Sequence, residues 1–338
     1  MPPLTPMPVA RAQVVAVGTA LPERRVTNAE LACRLDTTDE WIVSRTGIRE
    51  RRVCEPGQGL ITLAEPAARR CLERAGVAAT DIDGIIVATI TPDMVMPATA
   101  NLLQHRIGAT RAWAFDVANA CNGFVAALAN ATVWIESGRA KRILVLGGDV
   151  MSSLIDWKDR NTCVLFGDGC GAVLVEAGPV DGRGVVGLEM HSDGGPAAEL
   201  CVPCSGSAIP ATPEALARGE HFLKQNGKMV FTHAVRRMAE IAASVMRTNG
   251  LAAADIDLVV PHQANLRIIQ PTAERIGVPM SKVVVNLDRL GNTTGATIPL
   301  ALADAEADGR LVTGSRVLLV AFGGGLTWGA VYLTWGRS

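Results

Sequence analysis

Short, almost wholly apolar runs recur along the chain, separated by longer stretches whose apolar positions follow a helical spacing. Gly84-Ile-Ile-Val87, Arg142-Ile-Leu-Val-Leu-Gly-Gly148, Ala172-Val-Leu-Val-Glu176, Leu258-Val-Val-Pro261 and Arg316-Val-Leu-Leu-Val-Ala-Phe-Gly-Gly324 are runs of the first kind. Strands read this way, rather than alternating apolar with polar, where helices cover both faces of a sheet. The helical stretches run from Ala64 to Ala75, Asn122 to Trp134, Val230 to Asn249 and Ile298 to Ala307.

The chain also repeats itself. Gly76-Val-Ala-Ala-Thr-Asp-Ile-Asp83 returns as Gly250-Leu-Ala-Ala-Ala-Asp-Ile-Asp257, an offset of 174 (250 − 76), with six of eight residues identical. The run beginning at Arg142 matches the one beginning at Arg316 at the same offset of 174. Two matches at one offset point to a duplication, with halves at residues 12–178 and 179–338. Each half reads helix, buried strand, helix, strand, helix, strand. Such halves predict a layered α/β/α/β/α body whose central helices are shared by two sheets. A site is expected in the crevice between them, where strand ends converge.

Composition narrows the function classes. In 338 residues, 49% are apolar and only 19% charged, enough for a core that needs no staples. The net charge of −1 gives no general attraction to nucleic acid or an anionic membrane. No apolar run approaches the roughly 18 residues of a membrane-spanning helix. Met1 to Ala12 holds four prolines, lacks the order of a secretory signal, and reads as a frayed tail. Eight cysteines in a chain this long do not make a disulfide framework, which places the chain in a reducing cytoplasm.

Candidate chemistry gathers at a few loops. Phe115-Asp-Val-Ala-Asn-Ala-Cys121 reads as a strand turning into a helix, so Cys121 faces free N–H groups and a positive dipole end. These favour the thiolate, the nucleophilic form, although a cysteine packed behind the strand fits the same pattern. His262 follows the run Leu258–Pro261, and Asn292 sits in a Gly-bounded loop before Ile298. Alone, one reads equally as a core histidine and the other as an ordinary turn residue. The duplication groups them, because all three follow apolar strands at one sheet edge. Gly323, Gly324 and Gly325 allow main-chain N–H groups to approach a ligand, and with the Cys121 N–H could hold an oxyanion; a tight turn has the same composition. Gly167-Asp-Gly-Cys-Gly171 precedes a strand, not a helix, so no nicotinamide site is expected. Cys201-Val-Pro-Cys204 lacks a second pair at zinc spacing and reads as loop, with no metal site. Arg236 and Arg237 read as a solvated face.

Taken in order, several motifs resemble β-ketoacyl-acyl-carrier-protein synthase III of the thiolase-like superfamily. They are Asp39-Glu-Trp-Ile-Val-Ser-Arg-Thr-Gly-Ile-Arg-Glu-Arg51, Ala120-Cys-Asn-Gly-Phe124, Asp156-Trp-Lys-Asp-Arg-Asn-Thr-Cys-Val-Leu-Phe-Gly-Asp168, His262-Gln-Ala-Asn265, Gly291-Asn-Thr-Thr294 and Gly323-Gly-Gly-Leu-Thr-Trp-Gly329. The resemblance implies an internally duplicated thiolase-like fold with two mixed five-stranded sheets, and a ping-pong reaction. Cys121 would take an acyl group from acyl-CoA, and malonyl-acyl carrier protein would then decarboxylate and attack as an enolate. His262 and Asn292 would stabilise that enolate, and Gly324 would join the Cys121 N–H as oxyanion donor. By the same resemblance Trp41, Arg45, Arg160 and Thr37 would bind CoA, Leu326 would lie at the acyl pocket, and Met96 falls where a residue reaching across from the partner subunit shapes that pocket. Arg267 and Arg275 would dock the acidic carrier protein. A homodimer and no cofactor beyond the CoA thioesters are implied. Asn122, Thr232, Met96 and Leu326 depart from the family pattern. Those departures motivate an alternative, a related acyltransferase or condensing enzyme of secondary metabolism. A non-enzymatic acyl-CoA-binding protein on the same fold is a further alternative.

Overall fold

The apolar runs become strands of two sheets in a computed structural model that describes residues 9–337. The first sheet holds β1 (Arg11–Ala20), β2 (Gly84–Ala88), β3 (Trp113–Val117), β4 (Arg142–Asp149) and β5 (Gly169–Gly178). Their spatial order is β1-β5-β4-β2-β3, with β4, β2 and β3 mutually parallel and β5 antiparallel to both its neighbours. The second holds β6 (Val185–Ser192), β7 (Leu258–Pro261), β8 (Arg316–Gly323) and β9 (Thr327–Thr334). Its order, β7-β8-β9-β6, repeats that of β2, β4, β5 and β1. The repeated residues therefore mark a repeated topology.

One expectation is corrected here. Beside β7, where a fifth strand is expected, a single parallel bridge joins Val259 to Val283. The Val284 N–H donates to the Val259 carbonyl at 2.9 Å, but the chain then turns into the short helix Leu287–Leu290. Three valines are too few to extend the ladder. The second sheet has four strands among the described residues.

Helices form the other three layers. We number α1 (Asp39–Thr46), α2 (Ile61–Ala75), α3 (Thr99–Ile107), α4 (Gly123–Glu136), α5 (Gly227–Thr248), α6 (Leu266–Arg275) and α7 (Thr297–Ala307). α2 and α3 cover the outer face of the first sheet, and α5 and α6 that of the second. α4 and α7 lie between the sheets in one shared core with Ile86, Val145, Val260 and Leu319. A helix enclosed on both sides must be apolar nearly all round. α4 accordingly carries no charge before Glu136, and α7 none before Asp304. The packing brings backbones into contact: a Cβ on Gly147 of β4 would lie 2.1 Å from the Gly295 carbonyl oxygen, just ahead of α7.

Three smaller expectations also change. The frayed tail over Met1–Ala12 falls partly outside the described residues, and from Arg11 the chain is already β1, paired with β5. Cys201 closes a two-residue strand, Leu200–Cys201, paired with Lys224–Gln225. Arg237 is not a purely solvated residue, since its guanidinium stands 4.6 Å from the Trp328 ring centroid.

The shared layer sets a stability test. Leu128 of α4 has no exposed surface. Leu128→Ala should destabilise the protein by about 2–5 kcal/mol in denaturant unfolding, through lost transfer energy and a cavity that two sheets cannot collapse around. A loss under about 1 kcal/mol would contradict the enclosure.

Candidate active site

A cavity of about 1180 Å³ runs from the exposed Arg45 on α1 to the buried His262. Cys121, His262, Asn292, Phe322, Gly323 and Gly324 share its wall. The residues grouped from the sequence thus meet in one space.

Cys121 arrives by a turn between β3 and α4. β3 ends at Val117, Ala120–Asn122 make one 3₁₀ turn, and α4 begins at Gly123. Ala120 holds a φ of 45°, a left-handed conformation that costs an ordinary residue of order 1 kcal/mol. The thiol can be reached from the cavity but is otherwise enclosed by protein. Desolvation pushes it up to about 12, with the charge of Asp149 adding to the rise. This runs against the expectation drawn from the helix N-terminus, because the loss of hydration outweighs the backbone hydrogen bond that favours the thiolate. In the free site Cys121 is a thiol.

His262 follows β7, where its N–H donates to the Val320 carbonyl at 2.8 Å. Burial lowers its pKa to about 3, so the imidazole is neutral at working pH. Its Nδ1 lies 2.8 Å from the Thr297 hydroxyl, which is also 3.0 Å from the Thr294 carbonyl. That hydroxyl can accept from Nδ1–H while donating to the carbonyl, or donate to Nδ1 itself. Nε2 can therefore be held as acceptor or as donor.

Asn292 does not follow a strand, contrary to the sequence reading. The turn after Leu287–Leu290 delivers it, and the other half of the chain clamps it. Its N–H donates to the Leu165 carbonyl at 2.8 Å and its carbonyl accepts from the Gly167 N–H at 3.0 Å. Its side-chain Oδ1 accepts from the Thr294 N–H at 2.9 Å. With the oxygen engaged, the two Nδ2 donors are the groups left for the cavity. Gly323 closes in from β8, where a Cβ would lie 2.7 Å from the Cys121 backbone nitrogen. Only glycine allows that turn to carry Gly324 to the cavity wall.

A buried thiol, a neutral imidazole and an oriented amide facing one cavity fit acyl transfer through a thioester. Two family models match the chain: 3-oxoacyl-[acyl-carrier-protein] synthase III over residues 115–194, and the C-terminal part of that synthase over residues 246–335. The β-ketoacyl-[acyl-carrier-protein] synthase III of Roseiflexus sp. (strain RS-1) is 50% identical over 318 residues, 94% of this chain and 96% of the relative. The chain belongs to the β-ketoacyl-[acyl-carrier-protein] synthase III family. The crystal structure of the synthase III of Thermus thermophilus is 44% identical with a TM-score of 0.90, covering 96% of this chain and 100% of that one. The priming β-ketosynthase of the R1128 polyketide pathway is 35% identical with a TM-score of 0.89, covering 99% of each chain. The chain is accordingly an acyltransferase of the condensing type, which initiates fatty-acid biosynthesis by a condensation that uses acyl-CoA and acyl carrier protein.

Residues tied to the synthase III family by resemblance divide into those at the cavity and those away from it. Trp41 and Arg45 line the cavity, and the guanidinium carbons of Arg45 and Arg160 stand 4.5 and 5.2 Å from the Trp41 ring centroid. Arg160 also pairs with the Asp36 carboxylate at 3.3 Å. Thr37, next in sequence to Asp36, has a buried hydroxyl without a hydrogen-bond partner and is not among the residues of the cavity wall. Arg267 stands over Phe231, which lines the cavity, whereas Arg275 is tied at 3.2 Å to the Val235 carbonyl of α5. Met96 is exposed and outside the cavity wall, on a loop with the exposed Met94 and Val95. Leu326 is corrected more firmly: it is buried in the outer core with Phe322 and Trp328, not in the wall.

Asn122 acquires a physical account. Its Nδ2 donates to the Thr327 hydroxyl at 3.2 Å, tying the Cys121 turn to the start of β9. Sequence reasoning missed His221 and Lys228 on the cavity wall, the linking role of Thr294 on that same wall, and Asp149 and Thr297 behind it. Asp149 offered a signal, being a carboxylate at the end of the apolar run of β4.

The raised thiol pKa sets a pH dependence. The thiolate fraction grows about tenfold per pH unit below the pKa, so iodoacetamide alkylation of Cys121 should keep rising from about pH 7 to about pH 10. A plateau near neutrality would show that the dipole prevails over burial.

Proposed function

We propose that Cys121, His262 and Asn292 carry the two half-reactions of synthase III in this one cavity. Cys121 attacks the acyl-CoA carbonyl as His262 Nε2 accepts the thiol proton, which then passes to the departing CoA sulfur. The tetrahedral oxyanion is held by the backbone N–H groups of Cys121 and Gly324. In the second half-reaction the malonyl thioester oxygen lies between the His262 Nε2–H and an Asn292 Nδ2–H. The bond to the malonyl carboxylate breaks, CO2 leaves, and its electron pair forms an enolate stabilised by those donors. The enolate carbon attacks the acyl-Cys121 carbonyl, and the released sulfur regains a proton from water. The observation that carries this reading is the Thr294 N–H on Asn292 Oδ1, which leaves donors rather than an acceptor for the cavity. No cofactor is required beyond the thioester substrates.

Trp41 and Arg160 are proposed to stack the adenine of CoA, with Arg45 at a phosphate and Thr37 beside them. Arg267 is the proposed carrier-protein contact, since it stands at the cavity, and Arg275 is a secondary one. A homodimer is also proposed. The edge strand β3 stacks Trp113 on Phe115 at 5.5 Å, and Trp134 lies 5.0 Å from Trp113. Val133, next to Trp134, and Val95, next to Met96, are exposed. A second copy pairing at this edge would cover it and carry Met96 toward the neighbouring acyl pocket. Free cysteines throughout and no described helix long and apolar enough to cross a membrane support placement in the cytoplasm.

Substitution separates the steps. Cys121→Ala should gain no acyl mass from acetyl-CoA, while Asn292→Ala should acylate yet release CO2 from malonyl-carrier protein roughly 100–1000-fold more slowly. Full condensation by Asn292→Ala would refute the assigned role. Trp41→Ala should raise KM for acyl-CoA roughly 10–100-fold with kcat little changed, from the loss of one base stack. An unchanged KM would move the adenine elsewhere.

A further inference from the structure

Asp149 ends β4 with its side chain fully buried. Its Oδ1 accepts from the Thr89 hydroxyl at 2.9 Å, the Ile90 N–H at 2.8 Å and the Thr91 hydroxyl at 3.0 Å. Its Oδ2 accepts from the Thr294 hydroxyl and, at 3.3 Å, from the Gly295 N–H. Burial raises the pKa of this carboxyl while the donors around it oppose the rise. Neither half-reaction described above uses it directly.

Thr294 is the branch point beyond it. Its N–H orients Asn292, as described, and its carbonyl meets the Thr297 hydroxyl that touches His262 Nδ1. Thr294 also holds a φ of 50°, a strained value for a β-branched residue that persists only where the surroundings enforce it. The carboxylate, itself fixed by Thr89, Ile90 and Thr91 at the end of β2, supplies that enforcement from the opposite half of the chain. One hydrogen bond thus sets the geometry of two separate arms.

We propose that Asp149 and Thr294 are a positioning pair for the condensation half-reaction, fixing His262 and Asn292 together through the Thr294 backbone. The proposal rests on the roles given above to His262 and Asn292. Acylation draws on one arm alone, the His262 imidazole, beside the Cys121 turn and the Gly323–Gly324 backbone, whereas condensation needs His262 and Asn292 aligned at once. The two half-reactions should therefore respond differently to its loss. Asp149 has a second, electrostatic effect of opposite benefit. Its charge raises the Cys121 thiol and also that of Cys170.

The test uses the whole enzyme with acetyl-CoA and malonyl-carrier protein, and measures acylation and condensation of preformed acyl-enzyme separately. Thr294→Val should condense roughly 100-fold more slowly, the scale of a small misplacement, while acylation stays within about threefold. Thr294→Ser, which keeps the hydroxyl, should restore condensation. Asp149→Asn should lose condensation similarly, yet shift Cys121 alkylation to lower pH, which Thr294→Val should not. A structural loosening alone would not produce that split. Wild-type condensation by Thr294→Val overturns the proposal, as does equal loss of both half-reactions in Thr294→Val and Thr294→Ser. Normal condensation by His262→Ala and Asn292→Ala would remove the underlying roles as well. Loss in those two with none in Thr294→Val would remove the positioning pair alone.

Discussion

Two helices enclosed between two sheets impose the geometry on which everything else depends. α4 and α7 are buried on both sides, so neither can tilt or slide without opening one sheet or the other. Each begins at the cavity, α4 directly after Cys121 and α7 directly after the Thr294–Ala296 turn. The nucleophile and its partners come from segments far apart in sequence because two halves of the same topology deliver them to one crevice. Close backbone approach at Gly147 and Gly323 lets those segments meet without a side chain between them.

The same enclosure explains the electrostatics. A site dry enough to protect an enolate is also dry enough to hold a cysteine as thiol and a histidine as neutral imidazole. Charge is therefore not stored in the resting site but appears during reaction, where fixed donors are worth more than in water. Oriented neutral groups suit this arrangement better than an ion pair, which would lose hydration on both members. Asp149 is the exception, and its ring of donors is what makes a buried carboxylate tolerable there.

Much of this was legible in the residues. β2, β4 and β8 are almost unbroken apolar runs, and the matched residues at 76 and 250 marked the topology they repeat. Cys121, His262 and Asn292 group as residues after apolar strands at one sheet edge, which holds for Cys121 and His262 but not for Asn292, delivered by the turn after Leu287–Leu290. The fifth strand of the second sheet, implied by the resemblance alone, is replaced by a single bridge at Val283, after which the chain turns away. The thiol pKa was misjudged because a helix start can be seen in sequence, whereas the desolvation opposing it comes from distant segments. Thr294 enters the sequence reading only as the end of the motif Gly291–Thr294 and Thr297 not at all, since nothing local says that one carbonyl will link an asparagine to a histidine. Leu326 sits beside glycines that reach the cavity, but its own side chain points into the outer core.

The central claim is that the acyl group rides on Cys121 and leaves it when the malonyl substrate arrives. Peptide mapping of the wild-type enzyme by mass, after labelled acetyl-CoA and then a malonyl-carrier-protein chase, tests that claim directly. The account predicts one label per chain, confined to the peptide carrying Cys121, and its disappearance on the chase in step with CO2 release. Label on Cys201, Cys204 or another cysteine, or label on Cys121 that survives a chase releasing CO2, would contradict it.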